Sequence, residues 1–177
     1  MDAERLVLQI ELMLSEARKR LTDASILSSN LESTSDAAYL LQLLAFELLL
    51  KATVRIHTGS VPRNHGYPEL FASLPQEIRT RVVTVAASRL ATQGDLSDLD
   101  GLLGTWGQNF VQLRYPFERY EGMTEDEYIA HGERWFERGA LDAEADFTYY
   151  PEELAAVTHA LAFEVRTWLG TDISEDI

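Results

Sequence analysis

Apolar residues recur at helical spacing along most of the 177-residue chain. A first helix is predicted over about residues 3–27, from apolar positions at Leu6, Ile10, Met13, Leu14, Ala17 and Leu21. A second helix is expected after the candidate N-caps at 33–35 (Ser-Thr-Ser), with Asp36 in its first turn and Gly59 as its stop. Because this second segment is apolar nearly all round, it is predicted to be the buried centre of the fold.

Turn and capping residues divide the rest of the chain into further helices. Pro75 suits a first helical turn, Asp95 or Ser97 is an expected cap, and Thr124 with Glu127 forms a capping box. The helices predicted from these signals cover about residues 68–73, 75–91, 99–115, 125–138 and 151–169. No segment alternates clearly with a period of two, so the sequence predicts an all-α fold with five longer helices and two short ones.

The composition is typical of a packed domain, expected to cover residues 1–170 before an acidic tail at 171–177. Hydrophobic residues make up 46% of the chain, which is enough for a sizeable core. The lack of cysteine excludes disulfides, thiolate metal sites and cysteine catalysis. Since the first residues also lack a signal-peptide pattern, a cytoplasmic location is expected. The most apolar segment, 37–54, contains Glu47 and Lys51, so a core helix is predicted rather than a membrane span.

The formal net charge of the chain is −14, from 29 acidic and 15 basic residues. This charge opposes non-specific attraction to nucleic acid and to anionic membranes. It does not exclude one local basic cleft, so individual cationic side chains are the candidates for a site.

Glu47, Lys51 and Arg55 recur at i, i+4 and i+8 on the second helix and share one face. An ionised Glu47 within an apolar run needs a partner. One interpretation is a Glu47–Lys51 pair where the helix leaves the core. The other is a polar pocket wall, in which Glu47 faces a cation from another helix.

The stretch NFVQLRYPFERY, residues 109–120, places an arginine beside a helix-breaking proline. Pro116 cannot donate to the carbonyl of Gln112, and it disfavours helical geometry at Tyr115. The helix is therefore expected to kink or stop there. Arg114 and Glu118 would lie one turn apart if it resumes, and a kinked core helix with a satisfied arginine is the simpler interpretation.

Gly101, Gly104 and Gly107 recur every three residues in the helix predicted at about residues 99–115. Each weakens a helix by about 1 kcal/mol relative to alanine. The spacing does not fit a dinucleotide-binding fingerprint. Close approach of another helix is predicted instead, with Trp106 and Phe110 packing nearby.

The four histidines, at positions 57, 65, 131 and 159, belong to no metal-binding pattern. His65, in RNHGYPELF, is expected to cap or orient its loop, and His159 to lie in the core. The sequence has neither a phosphate loop nor a nucleophile elbow. No metal and no cofactor are therefore expected.

Three segments together resemble HEPN-domain proteins. LAFELLLKA (44–52) resembles the buried helix of that family, and the H-x4-L-F-x2-L-P pattern of 65–75 resembles its GHDLxxLFxxLP segment. FVQLRYPFE (110–118) resembles the F-x-x-W-R-Y-x-Y-E segment of one uncharacterised branch, with Leu113 and Phe117 in place of its Trp and second Tyr. The resemblance implies an up-and-down helical bundle that is often a symmetric dimer. Many members are metal-independent ribonucleases, often toxins or parts of antiphage defence.

The family's ribonuclease motif, R-x4-6-H, is incomplete in this chain. Five to seven residues after Arg114 stand Arg119, Tyr120 and Glu121 rather than a histidine. The resemblance therefore carries over Arg114 as the family arginine but supplies no general base. Glu118 is a possible substitute, although its charge would repel phosphate.

The leading hypothesis is a non-catalytic HEPN-like module in a defence or toxin–antitoxin context. It would bind a small anionic ligand, a nucleotide or a protein partner through a polar site formed by Arg114, Tyr115, Glu118, Glu47, Lys51 and His65. The alternative is a divergent metal-independent ribonuclease acting on RNA with Arg114 and Glu118. A third hypothesis is an acidic assembly or immunity partner of a basic protein. A homodimer without membrane association is expected.

Overall fold

A computed structural model describes residues 3–29, 35–60, 63–90, 94–141 and 144–171. These residues contain seven α-helices, one 3₁₀ helix and no strand, which confirms the predicted all-α helical bundle. The α-helices are α1 (Ala3–Ser29), α2 (Ala37–Thr58), α3 (Tyr67–Ala72), α4 (Gln76–Ala87), α5 (Leu99–Gln112), α6 (Glu125–Glu137) and α7 (Pro151–Leu169). The 3₁₀ helix, Pro116–Tyr120, follows α5. Six of these α-helices have 12 or more residues, one more than the five longer helices predicted.

Helix α2 is the centre of the bundle, as its apolar sequence predicts. It packs against α1, α3, α5 and α7 and buries Leu49 and Leu50 completely. Its Phe46 ring meets Tyr67 of α3 and Trp106 of α5 edge-on, with centroids 5.1 and 5.2 Å apart. By length and hydropathy α2 is the one described helix that could also cross a membrane, and half of its most apolar 18-residue stretch is buried inside the bundle. Its packing is that of a core helix.

Helices α1, α4 and α7 complete the core around α2. Helix α1 packs on α2 and α7, and its Ile10 and Leu14, spaced by one turn, are buried in the core. Helix α7 packs on both α2 and α4, where Leu161, Val165 and Val82 are buried. Each such aliphatic side chain stabilises the fold by about 1.5–3 kcal/mol. The amphipathic spacing of the sequence therefore determines which faces meet.

Helix ends follow local capping chemistry, with two corrections to the predicted caps. Asp36 rather than Ser35 is the N-cap residue of α2, and its side chain makes no capping hydrogen bond. Gly59 ends α2 in the left-handed conformation, with φ of 71°. Thr124 forms the predicted capping box at α6. Asp98, rather than Asp95 or Ser97, caps α5, because it accepts a hydrogen bond from the backbone of Gly101. The candidate caps at 33–34 and residues 172–177 of the predicted tail lie outside the described residues.

The three glycines of α5 do not mark a close helix approach, so that prediction is wrong. A Cβ added at Gly104 would meet nothing within 4 Å, and one at Gly107 would meet the 65–67 segment at an ordinary 3.8 Å. At Gly101 it would lie 2.3 Å from a carboxylate oxygen of Asp98. Gly101 therefore makes room for the helix cap rather than for another helix.

A buried ion-pair cluster joins α2, α4 and α7. Glu164 of α7 is 3% exposed, and its carboxylate accepts hydrogen bonds of 2.7 and 2.8 Å from Arg81 of α4. His57 Nε2, near the end of α2, lies 2.9 Å from the same carboxylate. Burial raises the pKa of Glu164, but the bonds from Arg81 and His57 outweigh burial and hold the pKa below its ordinary value. One ionised carboxylate thus ties three helices together.

The segment from the 3₁₀ helix through α6 lies on the outside of the bundle. Neither element buries a residue, and Phe136 is 76% exposed. Asp146 accepts hydrogen bonds from Arg119 at 2.8 Å and from the Tyr120 hydroxyl at 2.7 Å. His131 Nε2 lies 3.1 Å from both oxygens of Asp146. Hydrogen bonds to Asp146, rather than burial of apolar side chains, therefore hold this segment in place.

Glu164→Gln is expected to lower the free energy of unfolding by about 2 kcal/mol, because charge-assisted hydrogen bonds are lost at a buried position. Urea denaturation followed by circular dichroism at pH 7 measures the change. Glu16→Gln is the control, since Glu16 pairs with Lys19 and Arg20 on the surface of α1 and should matter much less. Wild-type stability of Glu164→Gln would contradict the structural role of this cluster.

Candidate functional site

The carboxylate of Glu47 is the centre of a polar cluster on one side of α2. Glu47 is only 6% exposed. Its carboxylate accepts hydrogen bonds from Lys51 at 2.8 Å, one turn later, and from the Tyr67 hydroxyl at 3.2 Å. His65 Nδ1, in the loop before α3, lies 3.0 and 3.1 Å from the two carboxylate oxygens. Glu47 thus forms the predicted pair with Lys51 and also binds two side chains from another segment.

The partners of Glu47 keep it ionised. Burial is the largest influence on the pKa of Glu47 and by itself raises it. Hydrogen bonds from Lys51 and His65 act in the opposite direction and outweigh burial, so the pKa lies below its ordinary value. Burial raises the pKa of Tyr67, and the charge of Glu47 raises it further. Tyr67 is therefore a neutral phenol that donates to an ionised carboxylate.

Glu47 also fixes the orientation of the His65 ring. An ionised carboxylate only accepts hydrogen bonds, so Nδ1 of His65 carries the hydrogen that points to Glu47. In the neutral imidazole, Nε2 is then left as an acceptor. The His65 side chain is 58% exposed, and its ring stacks at 27° against Phe110 of α5, with centroids 6.2 Å apart. A histidine with a defined tautomer therefore lies at the surface beside α5.

Arg114 lies in the turn between α5 and the 3₁₀ helix. The α5 helix ends at Gln112, so the helix stops before Pro116 rather than continuing through it with a kink. The guanidinium carbon of Arg114 lies 5.0 Å from the centre of the Phe110 ring, in cation–π contact. The side chain is exposed and forms no ion pair with any residue that the structure describes. Arg114 is therefore not a core arginine satisfied by a carboxylate.

Tyr115 and Glu118 lie apart from the Glu47 cluster. Both line a separate cleft of about 310 Å³, whose other lining residues are Val111, Gln112, Arg119 and Phe147. Because α5 ends before Arg114, Arg114 and Glu118 do not share a helix face. Arg114 instead shares Phe110 with His65 and acts electrostatically on Tyr67. Of the six predicted ligand-binding residues, the structure thus brings together Glu47, Lys51, His65 and Arg114.

Two members of the site were missed at the sequence level. Phe110 precedes Arg114 by four residues, a spacing at which side chains can meet along a helix, so a usable signal existed. Tyr67 gave no comparable signal, because its bond to Glu47 depends on the path of the loop between α2 and α3. Hereafter the Arg114 site means Glu47, Lys51, His65, Tyr67, Phe110 and Arg114.

Comparison of the chain with protein-family models, with curated proteins and with solved structures found no significant match. Within the described ranges, no group of three or more His, Asp or Glu side chains is placed to hold a metal ion.

Glu47→Gln is expected to lower the free energy of unfolding by about 3 kcal/mol at pH 7, because it breaks a buried ion pair. A carboxyl whose pKa is lower in the folded state stabilises the fold above its unfolded pKa, about 4.3 for glutamate. That contribution is lost as the pH falls through the folded pKa. The difference between wild type and variant should therefore shrink as the pH is lowered below about 4.3.

Urea titrations at a series of pH values measure this difference, with Glu69→Gln as a control on the exposed surface of α3. Other titrating groups are shared by wild type and variant, so subtraction removes most of their contribution. A difference that does not depend on pH would contradict an ionised Glu47.

Proposed function

We propose that the protein is a non-catalytic helical module that binds a small anion at Arg114. The supporting observation is that one cationic side chain of the site is not paired with a carboxylate. Lys51 and His65 are engaged by Glu47, whereas Arg114 is exposed and contacts the ring of Phe110. A guanidinium presents a planar fork of N–H donors that matches two oxygens of a phosphate or carboxylate. The ligand proposed is therefore a small molecule, such as a nucleotide, that carries one of these groups.

The local charge favours an anion although the chain as a whole carries −14. Among the six residues of the Arg114 site, Glu47 is the one carboxylate, and it is paired with Lys51, so no member of the site balances the charge of Arg114 when His65 is neutral. Contact with Phe110 restrains the guanidinium, and a restrained donor loses less conformational entropy when it binds. The exposed imidazole of His65 offers a second polar contact beside the same ring.

The HEPN resemblance supports the same location. Each of the three resembling segments contributes to the Arg114 site: 44–52 provides Glu47 and Lys51, 65–75 provides His65, and 110–118 provides Arg114. Three segments that are far apart in the chain thus contribute to one site, and that site contains Arg114, the residue that the resemblance identifies as the family arginine.

A divergent metal-independent ribonuclease is the second candidate, and His65 is the observation that favours it. The sequence has no histidine at the expected distance after Arg114, but the fold brings His65 to the same aromatic ring from another loop. With Nδ1 bound to Glu47, Nε2 is available to accept the 2′-hydroxyl proton of RNA. Arg114 would stabilise the developing phosphorane charge. Glu118, the base considered from the sequence, lies in a different cleft.

Assembly and location stay predictions. A homodimer is expected from the HEPN resemblance, and exposed apolar side chains such as Ile129 and Phe136 of α6 are compatible with it. Binding of a basic protein partner is supported by the net charge of −14. A cytoplasmic location is supported by the cysteine-free composition.

Pyrophosphate is the probe for the proposed anion site, with binding measured by isothermal titration calorimetry at low salt. Arg114→Ala is expected to weaken binding at least tenfold, about 1.4 kcal/mol, because the bidentate donor is lost. Arg114→Lys should be intermediate, since an ammonium is a point charge. Arg5→Ala, on the exposed face of α1, removes the same charge and should bind like wild type. Wild-type affinity of Arg114→Ala would overturn the proposal.

Single-stranded RNA incubated with the protein in EDTA distinguishes the second candidate. The proposed module leaves the RNA intact. Cleavage by the wild type that is lost in both Arg114→Ala and His65→Asn would establish the ribonuclease instead. Cleavage that survives both substitutions would exclude this site as its source.

A further inference from the structure

Helix α6 presents two large apolar side chains on the side that faces away from the bundle. Ile129 and Phe136 are seven residues apart, so they lie within about 20° of each other around the helix axis. Ile129 is 49% exposed and Phe136 is 76% exposed. His131, whose ring meets the carboxylate of Asp146, lies about 140° from Phe136 around the same axis. The two apolar residues are therefore turned away from the contacts that hold α6.

Gly132 lies between these two residues on the same face of the helix, about 40° from Phe136. A Cβ added at Gly132 would meet nothing within 4 Å. The surface thus has a gap between two apolar side chains, into which a side chain of another molecule fits. Hereafter the α6 stripe means Ile129, Gly132 and Phe136.

A row of carboxylates borders the α6 stripe along one edge. Glu133, Asp126 and Glu137 lie about 60°, 80° and 100° from Phe136, all in the same direction around the helix axis. All three are exposed, and none forms an ion pair with a residue that the structure describes. The acidic ridge, as these three residues are called below, is therefore open to a cation from outside the chain.

The acidic ridge selects among the molecules that could cover the α6 stripe. A second copy of α6 would add the same carboxylates, while its cations, Arg134 and Arg138, lie about 160° from Phe136 on the far side of the helix. An anionic membrane would be repelled, and residues 172–177 of the chain are themselves acidic. Exposed apolar side chains alone would suit a homodimer, but the carboxylates beside them oppose one at this face.

We propose that the α6 stripe is a docking surface for a basic amphipathic helix of a partner protein. Apolar side chains of that helix would pack on Ile129 and Phe136, and lysine or arginine side chains beside them would pair with the acidic ridge. Charged pairs that flank an apolar seam determine which helices associate and in which orientation. The basic partner expected from the net charge thereby gains a defined surface. This surface shares no residue with the Arg114 site, so docking here does not depend on anion binding.

Two helical peptides with the same row of leucines test this inference, one with lysine and the other with glutamate beside that row. The backbone amide resonances of the ¹⁵N-labelled protein are followed by NMR at physiological ionic strength, where attraction between distant charges is largely screened. The lysine peptide is expected to shift the resonances of Ile129, Gly132 and Phe136 saturably. It should bind at least fivefold more tightly than the glutamate peptide.

Phe136→Ser is expected to weaken binding of the lysine peptide at least fivefold, because the largest apolar contact of the stripe is lost. Leu12→Ser is the control, since Leu12 is an exposed apolar residue of α1, on another part of the surface. This control should bind the lysine peptide like wild type.

Reversal of charge tests the acidic ridge separately. Glu133→Lys combined with Glu137→Lys keeps the α6 stripe and is expected to reverse the preference, so that the glutamate peptide binds more tightly. Glu11→Lys combined with Asp23→Lys changes the net charge equally at exposed positions of α1. This control should keep the wild-type preference for the lysine peptide.

Several results would overturn the proposal. Absence of saturable shifts in α6, or equal binding of the two peptides, would exclude a surface for a basic helix. Equal weakening by Leu12→Ser and Phe136→Ser would assign the binding to general attraction by the acidic protein. Sedimentation that shows a wild-type dimer dissociated by Phe136→Ser would assign the stripe to a second copy. If Phe136→Ser does not fold, an unchanged peptide preference of the charge-reversed α6 variant would still overturn the proposal.

Discussion

The structure around the proposed site depends on one constraint, the burial of an ionised carboxylate in the central helix. Glu47 lies among residues that pack the core, where an unpaired charge would be prohibitively costly. Lys51 on the same helix supplies one partner, and the others are His65 in the loop before α3 and Tyr67 at the start of α3. The requirement to pair Glu47 therefore holds this loop and the start of α3 against α2. Tyr67 in turn packs on Phe46, which continues the contact into the apolar core.

The same constraint explains why a cation is left available at the surface. Glu47 engages the ammonium of Lys51 and the imidazole of His65, so neither is fully free to attract an anion. Arg114 lies in the turn between the end of α5 and Pro116. Its guanidinium contacts the ring of Phe110 and is not paired with a carboxylate of the cluster. The positive charge of Lys51 thus belongs to a structural ion pair with Glu47, whereas that of Arg114 is exposed at the surface. The anion binding that we propose would use that exposed charge without disturbing the Glu47–Lys51 pair on which the fold depends.

Patterns among neighbouring residues predicted the helices and several of their ends, whereas contacts between distant segments were not predicted. Apolar spacing together with turn and capping residues located every described α-helix, and the Thr124 capping box and the Gly59 stop were each predicted from a few neighbouring residues. The Glu164–Arg81 bonds join residues 83 positions apart, and no local pattern encodes such a pairing. The role of His65 likewise depends on the path of a loop. Arg114 was found from its segment, but its partner Phe110 was assigned to helix packing instead of to the site.

A crystal structure of the protein with pyrophosphate is the most direct test of the central claim that Arg114 is the open cation of this site. We expect oxygens of the anion within hydrogen-bonding distance of the Arg114 guanidinium, which stays over Phe110. Glu47 should remain bonded to Lys51 and His65 in the same structure. An Arg114 side chain paired with Glu47 or Glu118, or pyrophosphate bound elsewhere with none at Arg114, would contradict the account.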